Sequence, residues 1–241
     1  MSTILEICQD VASLVATQKP DTLFDTDNQQ SAIFLSIAKD TLESLRRYGD
    51  WQELTKEGSL TVTPNKSIYR LRDVCPDFYS LMNNTVYVRD TSERIIGSIT
   101  PEQWMNDRFF NVGVSEMRFK IQNNCLRFLT PPTQRCRIVF YYRSSVIAVS
   151  SETDCPCDEI EKTTLTADTD IPVFDEYLVK LGIIWRWYKR NGLPYEEEFN
   201  EYTKEVKNRF SNGLCLKDIP LARCFDTSLN GLGGVHVITK A

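Results

Sequence analysis

The chain has 241 residues, of which 41% are hydrophobic and 25% are charged, and its formal net charge at pH 7 is −5. This composition is that of an ordinary folded protein, long enough for one large domain or two small ones. No run of about 18 apolar residues occurs, which predicts no membrane-spanning helix, and no segment is basic enough for a dedicated nucleic-acid-binding protein.

The first fifty residues predict two amphipathic helices. The opening sequence STILEICQDVASLVA has a Ser or Thr cap, apolar residues at helical spacing and no basic region of a signal peptide, which favours a cytosolic start. The second helix ends at Gly49, after two arginines that suit the helix dipole. It carries one apolar stripe: Phe34, Ile37, Ala38, Leu42 and Leu45.

In residues 51–150 the apolar period changes to two, which is typical of β-strands. The clearest hairpin has Asn123–Asn124 as its two-residue turn, which places Phe119 opposite Phe128 and Ile121 opposite Leu126. These strands predict a small β-barrel or β-sandwich.

One short helix interrupts this β region. Thr100 and Gln103 have the T-x-x-Q spacing of a capping box, and Pro101 suits the first helical turn. The pattern predicts a helix over residues 101–107.

Residues 151–171 contain seven acidic residues and a single Lys, which is typical of a solvated linker. Cys155 and Cys157 form an isolated C-x-C pair, and the other six cysteines are scattered. This spacing favours reduced structural thiols, with a metal or redox role for the pair as the alternative.

Two further helices follow, and they are predicted to form an antiparallel hairpin because only a short turn containing Gly192 and Pro194 joins them. The apolar stripe of the first helix consists of Phe174, Tyr177, Leu178, Leu181, Ile184 and Trp185. It favours Trp185 as a core residue, whereas Trp187 lies off the stripe. The stripe of the second is Tyr195, Phe199, Tyr202, Val206 and Phe210.

Residues 212–241 have no sustained period, yet they remain apolar, whereas a free tail is normally polar. They predict an arm that lies on a partner, with folding back onto the same chain as the alternative.

The predicted fold is therefore α+β. A helical bundle formed by residues 1–50 and 172–211 receives an inserted β module (51–150), an acidic linker (151–171) and a C-terminal arm (212–241).

Five sequence pieces in fixed order resemble the head-to-tail adaptor (connector) proteins of tailed bacteriophages, including the tail tubular protein A of short-tailed phages. The pieces are LEICQDVASLV, RRYGDW, ITPEQW, LG-x-x-W at Leu181–Trp185, and NGLPYEEEFNEY. The resemblance covers residues 3–211, and it contains no catalytic signature.

The resemblance implies a structural virion protein that forms a ring of twelve copies between portal and tail, at the head–tail junction, after assembly in the host cytoplasm. The helices would form the ring wall, the β module would face the downstream tail or nozzle protein, and the arm would reach the portal. Genomic double-stranded DNA would pass through the channel without sequence-specific binding. No catalytic residue, cofactor, metal or membrane contact is expected.

Three sets of candidate site residues follow from this reading of the chain. The portal-contacting arm has Leu221, Phe225, Leu229, Leu232, Val235 and Val237. Lateral contacts in the ring are expected from Trp187 and Tyr188. The acidic residues expected to line the channel and repel DNA phosphates are Asp154, Asp158, Glu159 and Glu161.

Three alternative functions stay open on the sequence. The first is another phage tail structural protein, such as a tube or completion protein. The second is a tail-associated cell-wall hydrolase that uses Glu152 and Glu159. A free-standing regulatory or nucleic-acid-binding domain is the third. Against catalysis, the chain has a single histidine, His236, which leaves little for Ser-His or Cys-His chemistry.

Overall fold

The computed structural model describes residues 2–25, 27–110, 117–150 and 160–210. These residues form two compact units, one from the described parts of residues 1–52 and 166–241 and the other from residues 53–165. The first unit is helical and the second consists mainly of strands, so the predicted α+β class is confirmed. Residues 151–159 of the predicted linker (151–171) and the whole predicted arm (212–241) lie outside the described residues.

The elements are named here in chain order. The helices are α1 (Ile4–Leu14), α2 (Gln29–Tyr48), α3 (Pro101–Phe110), α4 (Glu176–Arg190) and α5 (196–210). The strands are β1 (Thr55–Val62), β2 (Ile68–Arg70), β3 (Phe78–Leu81), β4 (Tyr87–Val88), β5 (Phe119–Gln122), β6 (Cys125–Phe128), β7 (Cys136–Ser144), β8 (Ala148–Ser150), β9 (Ile160–Lys162) and β10 (Ile171–Pro172). No described helix combines the length and the hydropathy that crossing a membrane requires.

Local capping explains where α1 and α2 begin. Thr3 and Glu6 form a complete capping box at the start of α1, and the Asn28 side chain accepts hydrogen bonds from the first backbone amides of α2. All five residues of the predicted α2 stripe are buried. At the end of α1, Leu14 is 66% exposed, and the buried side of the helix consists of Ile4, Ile7, Cys8, Val11 and Ala12.

The buried side of α4 is turned relative to the predicted stripe. Tyr177 is 49% exposed and Trp185 is only half-buried, whereas Trp187 is 9% exposed and stacks on Phe34 of α2, with ring centroids 4.5 Å apart. The prediction that Trp185 rather than Trp187 belongs to the core is therefore wrong. The physical reason is that α4 packs against both α1 and α2, which widens its buried side to include Val179.

In α5 the predicted stripe is buried only in part. Tyr202 and Val206 are buried, Phe210 and Tyr195 are half-buried, and Phe199 is 41% exposed. The half of the stripe nearest the α4–α5 turn thus stays partly open to solvent.

The β unit contains two antiparallel sheets that share its core, and a further antiparallel pair formed by β8 and β9. The first has the strand order β1-β7-β3, with β4 also paired to β7, and the second has the order β2-β6-β5. The predicted hairpin is confirmed, because Phe119 pairs with Phe128 across β5 and β6. Its turn residues, Asn123 and Asn124, both have the positive φ that this type of two-residue turn requires, at 53° and 57°.

One apolar core joins the two sheets. It draws Ile138 and Phe140 from β7, and Phe119, Leu126 and Phe128 from the second sheet. The sheets of the described residues stay open rather than closing into a barrel. Of the two predicted arrangements, the sandwich-like one describes this packing.

Candidate interaction surfaces

Helix α3 is fixed to the β unit although it contains no buried residue. Its capping box is confirmed, since the Thr100 and Gln103 backbone amides each donate to the other's side chain at 3.2 Å. Asp107 forms an ion pair with Arg118 at 2.7 Å, and the Lys120 ammonium lies 4.3 Å from the centre of the Trp104 ring. These contacts hold the side of α3 that carries positions 104 and 107.

The opposite side of α3 is exposed and carries apolar residues together with Glu102 and Asn106. Met105 is 49% exposed, Phe109 69% and Phe110 73%. An ordinary surface helix turns its apolar side inward, and α3 does the reverse. The sequence pattern predicted the helix but not that its exposed side carries apolar residues. The i, i+4 spacing of Met105 and Phe109, on a different side of the helix from Trp104, could have indicated this.

The RRYGDW piece braces the helical unit. The Trp51 indole donates to the Leu45 carbonyl at 2.7 Å, and its ring makes edge contacts with Phe174 and Phe210 at centroid distances of 5.7 and 5.9 Å. A Cβ at Gly49 would lie 2.3 Å from the Phe210 ring, so this position has no room for a side chain. The motif therefore links α2, the start of α4 and the end of α5.

The LG-x-x-W piece brings α4 close to α2. A Cβ at Gly182 would lie 2.4 Å from Cγ2 of Thr41, so the two helices approach each other at this glycine. Arg186 lies one turn later, where it donates to Ser44 at 2.6 Å and covers the Trp185 ring. The piece thus places its glycine where the two helices approach and its tryptophan, three positions on, against the Arg186 guanidinium.

Trp185 of α4 forms a partly exposed aromatic patch with Tyr195 and Phe199 where α4 meets α5. The Trp185 ring contacts Tyr195 and Phe199 at centroid distances of 6.3 and 5.0 Å, and the Lys189 ammonium lies 5.8 Å from it. Of the two candidate lateral residues, Trp187 is packed inside the unit and Tyr188 is half-exposed. Of the two, Tyr188 has more surface for a contact between copies, and that contact stays a prediction.

Among the acidic residues proposed for the channel, Glu161 lies in the described chain, on β9, while Asp154, Asp158 and Glu159 lie outside it. Its carboxylate accepts a hydrogen bond from the Lys56 ammonium at 2.5 Å. The same ammonium donates to Asp77 at 2.8 Å. A cation thus neutralises part of the negative charge at Glu161.

Asp77 lies at the centre of this polar network. Besides Lys56, it accepts hydrogen bonds from Tyr142 at 2.8 Å and Ser144 at 2.7 Å. Burial alone would raise the pKa of Asp77, but the hydrogen bonds from Lys56, Ser144 and Tyr142 together lower it below its ordinary value. The network ties β1 and β7 to the segment before β3.

The described residues offer no group of three or more His, Cys, Asp or Glu side chains that would hold a metal ion. Their four cysteines, Cys8, Cys75, Cys125 and Cys136, are free thiols. Burial, helped by the charge of Asp168, raises the pKa of Cys8 to about 12, which leaves this thiol protonated and unreactive at neutral pH.

Several predicted positions lie outside the described residues. They are the C-x-C pair, Glu152 of the hydrolase alternative, His236, and the six arm residues Leu221, Phe225, Leu229, Leu232, Val235 and Val237.

A family model described as SU10 adaptor protein matches residues 2–214 of the chain. No curated protein matches it. The matched range includes both described units and all five sequence pieces on which the resemblance was based.

Proposed function

The chain belongs to the SU10 adaptor protein family, and on this premise we propose that it forms a ring between the portal and the tail of a phage particle, with a channel for DNA. The family membership makes the chain a structural protein of the virion, an adaptor that associates with portal and tail proteins. The proposal adds the ring of twelve copies and the position of each part of the chain within it.

The observation that carries the proposal is the length of the family match. It extends over residues 2–214 without being limited to one unit, so both units belong to the adaptor itself. A match to the β unit alone would have left the helices free for another role.

The helical unit supports its assignment to the ring wall. Copies in a ring contact one another through two different surfaces, because head-to-tail contacts close only when their rotation does. The unit carries an aromatic patch with Phe199 and Lys189 where α4 meets α5, and a separate exposed apolar residue, Leu14, at the end of α1. Such different surfaces are what a ring requires.

The acidic residues support a channel that does not retain DNA. Like charges along a channel repel the phosphates of a passing duplex and reduce its non-specific binding. Because Lys56 pairs with Glu161, this repulsion falls mainly to Asp154, Asp158 and Glu159. The C-terminal arm is assigned to the portal because its apolar residues would gain contact area by ordering on a partner.

Electron microscopy of purified portal rings mixed with the full chain tests the proposal. We expect an added ring of density on the portal, with copies arranged around the channel axis. Portal rings from an unrelated phage serve as the control and should stay bare. Density on isolated tails, with bare portals, would contradict the proposal and favour a tube or completion protein.

A further inference from the structure

Helix α3 and a groove in the same unit are complementary in chemistry, and we propose that α3 of one copy inserts its outer face into the groove of a second copy. The proposal rests on the ring described above and adds a contact between β units. It concerns two surfaces that both lie within residues 53–165.

The outer face of α3 has the properties of a preorganised protein anchor. Met105 and Phe109 lie one turn apart, and Phe110 flanks them, which is the spacing by which helices dock into apolar grooves. The capping box and the Asp107–Arg118 ion pair fix the helix before any partner arrives. Docking a fixed helix costs less conformational entropy than docking a flexible one.

The groove is lined by all four residues of β3 and by four residues from other segments: Phe78, Tyr79, Ser80 and Leu81, then Asn83, Ser98, Ile121 and Asn124. Its volume is about 240 Å³, which is below the roughly 300–1,000 Å³ of sites for drug-sized ligands. A groove of this size, with a mostly apolar lining, suits an inserted side chain better than a free small molecule.

The occupant comes from a second copy because the chain does not fill its own groove with these phenylalanines. Ser98, in the groove wall, precedes the start of α3 by three residues, while Phe109 and Phe110 lie at the other end of a helix about 15 Å long. Both rings are more than two-thirds exposed. A second copy offers the same groove to these rings.

The charges of α3 argue against a phosphate-bearing partner. The helix has one cation, Arg108, against Glu102 and Asp107, and no lysine. DNA and anionic lipid surfaces are bound through clusters of Lys and Arg. An uncharged, mostly apolar groove on a protein is the complementary surface.

A helix in one copy and a groove in the next form a head-to-tail contact, which closes into a ring when its rotation permits. One helix face buries far less than the 1,200 Å² or so of stable interfaces, so the contact alone is weak in solution. It therefore adds to the ring without holding copies together at low concentration.

Sedimentation velocity of the full chain up to about 1 mM tests the contact without any portal present. We expect weak self-association of the wild type, and at least a tenfold higher Kd for the double variant Phe109→Ser/Phe110→Ser. Asn83→Trp, which places a ring in the groove, should weaken association equally. Tyr141→Ser removes an exposed ring from β7 of the same unit and should change nothing.

A mixture of the two impaired variants gives a specific signature. The Phe109→Ser/Phe110→Ser chain keeps its groove and the Asn83→Trp chain keeps its α3, so the mixture should form heterodimers and no larger species. A wild type that stays monomeric, or an α3 variant that associates as strongly as wild type, overturns the proposal.

The other partners of α3 are separate outcomes. Loss of tail-protein binding by the α3 variant with unchanged self-association would assign the helix to the tail protein and overturn the proposal. Flotation with phosphatidylcholine vesicles that depends on Phe109 would assign it to a membrane, with the same consequence. In either case ring density on portals is measured separately, so the proposed function stands or fails independently.

Discussion

At the scale of single residues, Asp77 is the most consequential polar side chain in the β unit. It accepts three hydrogen bonds from side chains up to 67 positions away in sequence. We predict that Asp77→Asn lowers the free energy of unfolding by about 1–3 kcal/mol at pH 7, because the amide turns a donor toward groups that are themselves donors. Urea denaturation measures this difference.

The lowered pKa of Asp77 gives the loss a pH dependence. The stabilisation by its carboxylate is complete above the ordinary Asp pKa of about 3.9, and it disappears as the pH falls through the lower pKa of the folded protein. The difference between wild type and variant should therefore shrink from pH 5 toward pH 2. Asp73→Asn, an exposed acid of the same unit, should show no comparable loss at any pH.

At the scale of elements, the approach of α4 to α2 at Gly182 decides how the helical unit packs. In an exposed helix Gly→Ala stabilises by roughly 1 kcal/mol. At this position the new Cβ would lie 2.4 Å from Thr41 and 3.1 Å from Tyr202. We predict that Gly182→Ala is destabilising by about 1–3 kcal/mol, as overpacking usually is, and thermal unfolding will measure it.

A second substitution makes this prediction specific. Thr41→Ser deletes the Cγ2 atom that meets the new Cβ and keeps the hydroxyl that donates to the Ile37 carbonyl at 2.7 Å. In the Gly182→Ala background it should restore part of the lost stability, although it should be neutral or slightly destabilising alone. Equal stability of Gly182→Ala and wild type would contradict the close approach.

At the scale of the whole molecule, attachment to the portal is assigned to the C-terminal arm, residues 212–241. We predict that deletion of residues 212–241 abolishes docking onto portal rings, because the apolar contacts of the arm are lost, while the melting temperature changes little. Electron microscopy of portal mixtures and circular dichroism are the two measurements.

Point variants within the arm provide the matched comparison. Leu229→Ser/Leu232→Ser should weaken docking, whereas Thr227→Ala/Ser228→Ala, in the same stretch, should not. Portal binding by the shortened chain at wild-type strength would remove the arm from the proposal and leave the ring to be explained by the two units.

The sequence by itself determined the features that depend on neighbouring residues. The Thr100–Gln103 capping box, the Asn123–Asn124 hairpin and the buried stripe of α2 are all encoded within short segments, and all three are confirmed. The fixed order of five short pieces was also sufficient for the family, which the match over residues 2–214 confirms.

Only the tertiary structure decided which sides of these elements are covered. Helical period alone places Trp185 inside, but two neighbouring helices cover α4 and bury Trp187 instead. Likewise, a capped helix at residue 101 gives no indication that its phenylalanines face outward. The physical reason is that caps and turns are satisfied within a few residues, whereas burial depends on which distant segments pack against a given face.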